Sequence, residues 1–265
     1  MYPIGYACMN MSIPDCSVNR TMRKATFQEK GLQGISEKAL ANIVDLEKIV
    51  HWTVEHRIGM YRMSSDMFPW MSEYEFADLP DYDKIKSKLE SIGQHALDNG
   101  LRLSFHPGQF CVLASKSEKV VLNAIKELDK TSEIMDMMLQ PRSHQAKINI
   151  HVGGVYGDKD SAMQRFCDNF KRLSEGTQSR LTVENDDKRS MYTVQDLYNG
   201  IHKVVGIPIV FDFHHHFCMT LAGGDTMSEE DALTLALSTW PKDIVPTVHY
   251  SESKRLHESN DKIKW

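Results

Sequence analysis

The run Ile207-Pro-Ile-Val-Phe-Asp-Phe-His-His-His216 starts as an apolar, β-branched strand and ends in one carboxylate and three imidazoles. Asp212, His214, His215 and His216 offer the oxygen and neutral nitrogen donors that divalent metals take. In an extended strand, neighbours alternate between faces, so Asp212 and His214 share a side and His215 does not. A turn after His214 would bring His215 round. Similar groups close other apolar runs: His106 after Leu101–Phe105, His151 after Lys147–Ile150, Glu184 and Asn185 after Arg180–Val183, and His249 in Ile244–Tyr250. A lone strand-end histidine is more often a structural hydrogen-bonder. Five strand ends carrying such groups are a joint pattern, and they point to a cluster of more than one metal ion. That layout serves in-line attack on phosphate esters.

The elements that must position these groups alternate in type. Strands are predicted at Ile4–Cys8, Met60–Ser65, Leu101–His106, Lys147–Val152, Arg180–Asn185, Ile207–His214 and Ile244–Tyr250. Helices are predicted at about Ser36–His56, Tyr82–Asp98, Ser117–Leu139, Lys159–Leu173, Thr193–Val204 and Glu229–Ser238. Asn10 to about Gln33 reads as a polar loop. Asn99-Gly100 reads as a helix stop. Alternating strands and helices imply parallel pairing with right-handed crossovers. An α/β fold of the (β/α) TIM-barrel type gathers all strand ends on one face, where the active sites of that fold lie. A doubly wound open sheet, the competing fold, would spread them along an edge. A single domain over 1–265 is expected, with seven strands visible where a barrel wants eight.

The 265 residues carry a net charge of −5, which argues against a generally basic nucleic-acid coat but leaves room for a local cleft. No apolar run is long enough for a membrane span, and the N-terminus lacks a signal-peptide layout, so a cytoplasmic protein is expected. Five scattered cysteines form no CxxC pair and read as reduced thiols. Met135, Met137 and Met138 read as core filling.

His106-Pro-Gly-Gln-Phe110 sets an amide and an aromatic on a tight loop beside a candidate ligand. Gln109 and Phe110 suit a wedge into a base stack, the ring filling space and the amide meeting a base edge; a buried Phe and a solvated Gln are the plainer alternative. Tyr6 is more readily a core residue. Arg20, Arg23, Lys24 and Arg62 are phosphate candidates or ordinary surface.

Gly5-Tyr6-Ala7 with Asn10, Tyr61-Arg62 with Ser64-Ser65, His106-Pro-Gly-Gln109, Asn149-Ile-His151-Val-Gly-Gly154, Glu184-Asn-Asp-Asp187, Asp212-Phe-His-His215 and His249-Tyr-Ser251 occur in this order. Together they resemble the UV damage endonuclease family, over residues 4 to about 257. The resemblance implies a barrel like that of xylose isomerases and endonuclease-IV-type enzymes. It also implies a site of two or three divalent ions, typically Mn, with Mg, Co or Zn as other choices. The implied activity is incision of double-stranded DNA 5′ to a UV photoproduct, leaving a 3′-hydroxyl and a 5′-phosphate, with no nucleotide cofactor. His106, His151, Glu184, Asp212, His215 and His249 match the family's metal ligands, with Glu184, Asp212 and His249 at the centre of catalysis. Gln109 matches the probing amide, Phe110 stands where Tyr is common, and Tyr6 and Asn10 match the lesion pocket. Thr247 replaces a Lys found in some members. The family's eighth strand, with a Glu ligand, has no counterpart here; His257 and Glu258 are the last metal-competent residues.

Two rival functions use the same residues. A metal-dependent sugar isomerase or epimerase would need a small closed pocket and would give the Gln109-Phe110 loop no purpose. A non-catalytic damaged-DNA binder would follow from an incomplete metal site.

Overall fold

The structure is a computed structural model that describes residues 3–251. Seven strands form one sheet in sequence order: β1 (Gly5–Ala7), β2 (Met60–Met63), β3 (Arg102–Phe105), β4 (Ile148–Ile150), β5 (Leu181–Glu184), β6 (Ile209–Asp212) and β7 (Val248–His249). β1 to β4 pair in parallel, as do β5 to β7. Between them run α1 (Lys24–Glu55), α2 (Tyr82–Asp98), α3 (Glu118–Met137), α4 (Lys159–Phe170), α5 (Glu175–Gln178), α6 (Val194–Leu197), α7 (Lys203–Val205), α8 (Phe213–Leu221) and α9 (Glu229–Ser238). This is the expected (β/α) order of a TIM-type barrel. His257, Glu258 and everything after Ser251 lie outside the described residues.

The chain divides into two compact units. The first takes Met1–Cys111, Leu122–Asn149 and Arg172–Leu181. In it α1 and α2 bury apolar stripes, with Ile43, Leu46 and Val50 of α1 and Ile85, Leu89 and Ile92 of α2 at most 1% exposed. Each such side chain contributes about 1.5–3 kcal/mol on burial. Gly93 lets α2 approach the residues after α3, because a Cβ there would stand 1.8 Å from the Met138 carbonyl oxygen. Met135, Met137 and Met138 are buried, as expected for core filling. Arg180 is fully buried. Its guanidinium donates to Asp136 Oδ1, Ser132 Oγ and the Gln140 carbonyl, each at 2.7 Å.

The second unit takes Val112–Val121, Ile150–Lys171 and the chain from Thr182 on. Its strands β5 and β6 are buried along their whole length, as parallel strands covered on both faces are.

Three local expectations fail for identifiable reasons. Residues 24–33 are helical rather than loop, since Gly31 takes a non-helical φ of 56° and lets two helical stretches abut within α1. Residues 213 and 214 are not strand. Asp212 caps α8 there by accepting the His215 amide, and the aromatic and imidazole run 213–217 has no helical periodicity to announce it. Finally, β7 is only two residues long and starts after Pro246, which has no N–H to give a ladder. Among the described residues no helix is long and apolar enough to cross a membrane.

Candidate metal centre

Within the second unit, side chains from four strand ends converge. Glu184 closes β5 and is 2% exposed; Asp212 closes β6 and is 7% exposed. Register places His249 of β7 beside Asp212. His249 Nδ1 lies 2.6 Å from Glu184 Oε2 and 3.9 Å from Asp212 Oδ2. His215 Nδ1 lies 3.5 Å from Glu184 Oε1 and 3.9 Å from Asp212 Oδ2. His151, just past β4, has Nε2 3.7 Å from Glu184 Oε1, and its ring centre is 5.4 Å from that of His215. Glu184, Asp212 and His215 offer ligand atoms within 4.8 Å of one another.

The local folding explains how His215 reaches the site. Because α8 begins at Phe213, His215 stands three residues past Asp212 on a helical turn, which is the same face. This is the turn that the strand alternation required, two residues earlier than expected. Asn185 braces the pair: its side-chain amide donates to the Asp212 carbonyl (3.0 Å), its side-chain oxygen accepts the Asp212 N–H (2.8 Å), and its own carbonyl lies 2.9 Å from His215 Nδ1. His214 and His216 turn elsewhere. His214 stacks on Phe217, while His216 is buried against Phe211 with Nδ1 3.6 Å from Asp225 Oδ2.

Buried carboxylates are costly unless a positive partner compensates them. Two of them meet three imidazoles here, a mixed oxygen and nitrogen donor set that fits divalent metal ions. Asp186, which the sequence offered only within the motif Glu184-Asn-Asp-Asp187, sits 3.1 Å from His151 Nδ1. Burial alone would lower the His151 pKa, but Asp186, Glu184 and Asp212 outweigh it and raise it.

The other expected site residues belong to the first unit. His106 follows β3, half-buried, with Nδ1 3.1 Å from the Pro107 carbonyl oxygen. Gln109 is exposed, and Phe110 is 83% exposed, so the buried alternative for Phe110 is excluded. Tyr6 and Asn10 are bonded together: Asn10 Nδ2 donates to the Tyr6 hydroxyl at 2.9 Å, and that hydroxyl lies 2.7 Å from Thr53 Oγ1. Arg20 is committed to Asp45 at 2.6 Å, which removes it from the phosphate candidates.

Residues 2–263 match the UV-endonuclease UvdE family. A UV DNA damage endonuclease of Clostridium perfringens is 32% identical over 94% of this chain and 58% of its own length. A UV-damage endonuclease of Schizosaccharomyces pombe is 34% identical over 94% of this chain and 42% of its own length. The chain thus spans about half the length of these two relatives. The crystal structure of SacUVDE superposes with a TM-score of 0.84 at 32% identity, covering 96% of this chain and 82% of that one. A D-psicose 3-epimerase from Clostridium cellulolyticum shares the fold alone, with a TM-score of 0.55 at 14% identity over 78% of this chain and 67% of that one. The chain belongs to the UV-endonuclease UvdE family.

Proposed function

We propose that this chain is a DNA repair endonuclease that hydrolyses the backbone 5′ to UV photoproducts in double-stranded DNA, leaving a 3′-hydroxyl and a 5′-phosphate. The observation that carries the reading is the convergence of Glu184 and Asp212 with His151, His215 and His249 at the strand ends. These five side chains would hold two or three divalent ions, Mn first among them. Such ions supply Lewis acidity, which polarises a phosphodiester, makes a water more acidic and eases departure of the 3′-oxygen.

The chain's own residues do the rest. Glu184 and Asp212 provide the negative charge that keeps cations in place. Asn185 fixes the Asp212 backbone and faces His215 Nδ1, which leaves Nε2 of that ring to point away from the brace. Phe110, exposed on its loop, is free to enter a base stack, with Gln109 beside it to meet a base edge. A damaged dinucleotide is cheaper to extrude than an intact pair, so selection needs no reading of sequence. No nucleotide cofactor enters this reaction, and the site of action is the DNA-containing cytoplasm.

The test is an incision assay on end-labelled duplex carrying one photoproduct, with undamaged and abasic duplexes alongside and Mn added or chelated. Cutting 5′ to the photoproduct that needs the metal and falls by at least about 100-fold in Glu184→Gln is expected. Equal cutting in EDTA would remove the metal mechanism, and equal cutting of undamaged duplex would remove the lesion specificity.

A further inference from the structure

Tyr156 is 53% exposed and holds a φ of 48°, in the left-handed region. A non-glycine residue is strained there and persists where its surroundings over-determine it. Here they do. Arg165 donates through Nε to the Ala114 carbonyl at 2.8 Å and through a terminal nitrogen to the Gly154 carbonyl at 3.1 Å, tying two loops together. The Tyr192 hydroxyl donates to the Gly153 carbonyl at 3.0 Å. Gly154 lets the loops close, since a Cβ there would come within 3.0 Å of the Ala114 oxygen. The Tyr156 ring is thereby a rigid, solvent-facing platform on the loop that leads away from His151.

Two cations accompany the ring. The Arg165 guanidinium carbon is 5.6 Å from its centroid, with two of its three nitrogens bonded to the two carbonyls. Lys116 Nζ is 5.2 Å away, exposed, and in no ion pair among the described residues. Neighbouring charges are otherwise engaged. Asp158 caps α4 by accepting from Ser161, and Lys159 pairs with Asp196 at 2.7 Å.

We propose that Tyr156 and Lys116 form a contact for the DNA strand next to the cut, the ring stacking on a base that has left its stack and the ammonium taking an adjacent phosphate. Aromatic faces accept any base, and pairing them with a backbone-tracking cation is how strands are held without sequence preference. The inference rests on the DNA-cutting reading above and adds a contact that the metal centre and the Gln109-Phe110 loop do not supply.

The test measures binding of photoproduct-bearing duplex in EDTA, so that the strand stays whole, by fluorescence anisotropy over a salt series. Tyr156→Ala should weaken binding by about ten-fold or more, while Tyr156→Phe, which keeps the ring, should bind like the parent. Lys116→Ala should lower the slope of log affinity against log salt by about 0.7–0.9. With 5-iodouracil placed beside the photoproduct, light should crosslink residue 156 in the parent and in Tyr156→Phe. Parent-like binding by Tyr156→Ala, or loss of binding in Tyr156→Phe, overturns the proposal. A parent protein that neither binds nor cuts damaged DNA would instead overturn the reading on which it rests.

Discussion

Glu184 Oε2 lies 2.6 Å from His249 Nδ1, although β5 and β7 are separated in the sheet by β6. The two side chains lean together over the end of β6, where Asp212 stands. One carboxylate is therefore shared by imidazoles from both flanking directions, since His151 and His215 approach its other oxygen. An arrangement that spends three imidazoles on one buried carboxylate is organised for a positive charge.

Bound metal should stabilise the fold through that arrangement. At 100 times its dissociation constant an ion adds about 2.7 kcal/mol, which at this chain length is a rise in Tm of roughly 5–10 °C. Differential scanning fluorimetry with Mn added to chelator-treated protein reads it directly. Glu184→Gln should lose most of the rise. An unchanged Tm at saturating Mn would mean that the centre does not hold the ion.

Phe110 buries little of itself, so Phe110→Ala should leave the urea midpoint within error of the parent, a change under about 0.5 kcal/mol. Incision of photoproduct DNA should nevertheless fall by ten-fold or more, because the ring is worth about 1–3 kcal/mol when stacked on a base. A variant that folds and cuts normally would remove Phe110 from lesion recognition.

Asp136 tests the core of the first unit. Burial would raise its pKa, but hydrogen bonds from Arg142 and Arg180 prevail and hold it below the ordinary 3.8. Its carboxylate therefore stabilises the fold above about pH 4, and that contribution fades as pH drops through the lowered value. Asp136→Asn leaves Arg180 buried with a neutral partner and should cost about 2–3 kcal/mol near pH 7, discounted because Asp136 is a third exposed. Urea titrations from pH 7 to pH 2 should show the gap between parent and variant closing at the acid end. A gap that stays constant with pH would contradict the ion pair.

Gly93→Ala should destabilise even though alanine is the better helix former by about 1 kcal/mol. The new methyl would meet the Met138 backbone carbonyl oxygen at 1.8 Å, and α2 must move to clear it. A net loss of about 2–3 kcal/mol in chemical denaturation is expected. A neutral or stabilising result would show that α2 is free to shift.

The (β/α) order was legible because each strand is an apolar run closed by a polar residue, and that same feature marked the site. Helices α2 and α9 were readable to the residue, α2 from its amphipathic spacing and the stop at Asn99-Gly100. Less legible was α8. Its sequence carries aromatics and imidazoles on all sides, and the helix is started by Asp212, a residue that chemistry alone seemed sufficient to explain. Asp186 was hidden for a related reason: in Glu184-Asn-Asp-Asp187 nothing but three-dimensional contact separates the acid facing His151 from its neighbour. The mutual hydrogen bond of Tyr6 and Asn10, four residues apart, likewise depends on a turn with no signature of its own.

Asp212 divides its two oxygens between two employers. Oδ1 accepts the His215 amide that starts α8, and Oδ2 faces His215 and His249. Inheritance at this position therefore answers to two selective pressures. A lineage that abandoned catalysis would still retain Asp, Asn, Ser or Thr there, because any of them caps a helix. Glu184 closes β5 and caps no helix, so that constraint does not bear on it. Across diverging descendants, its replacement should be the earlier and more trustworthy sign that the chemistry has been given up.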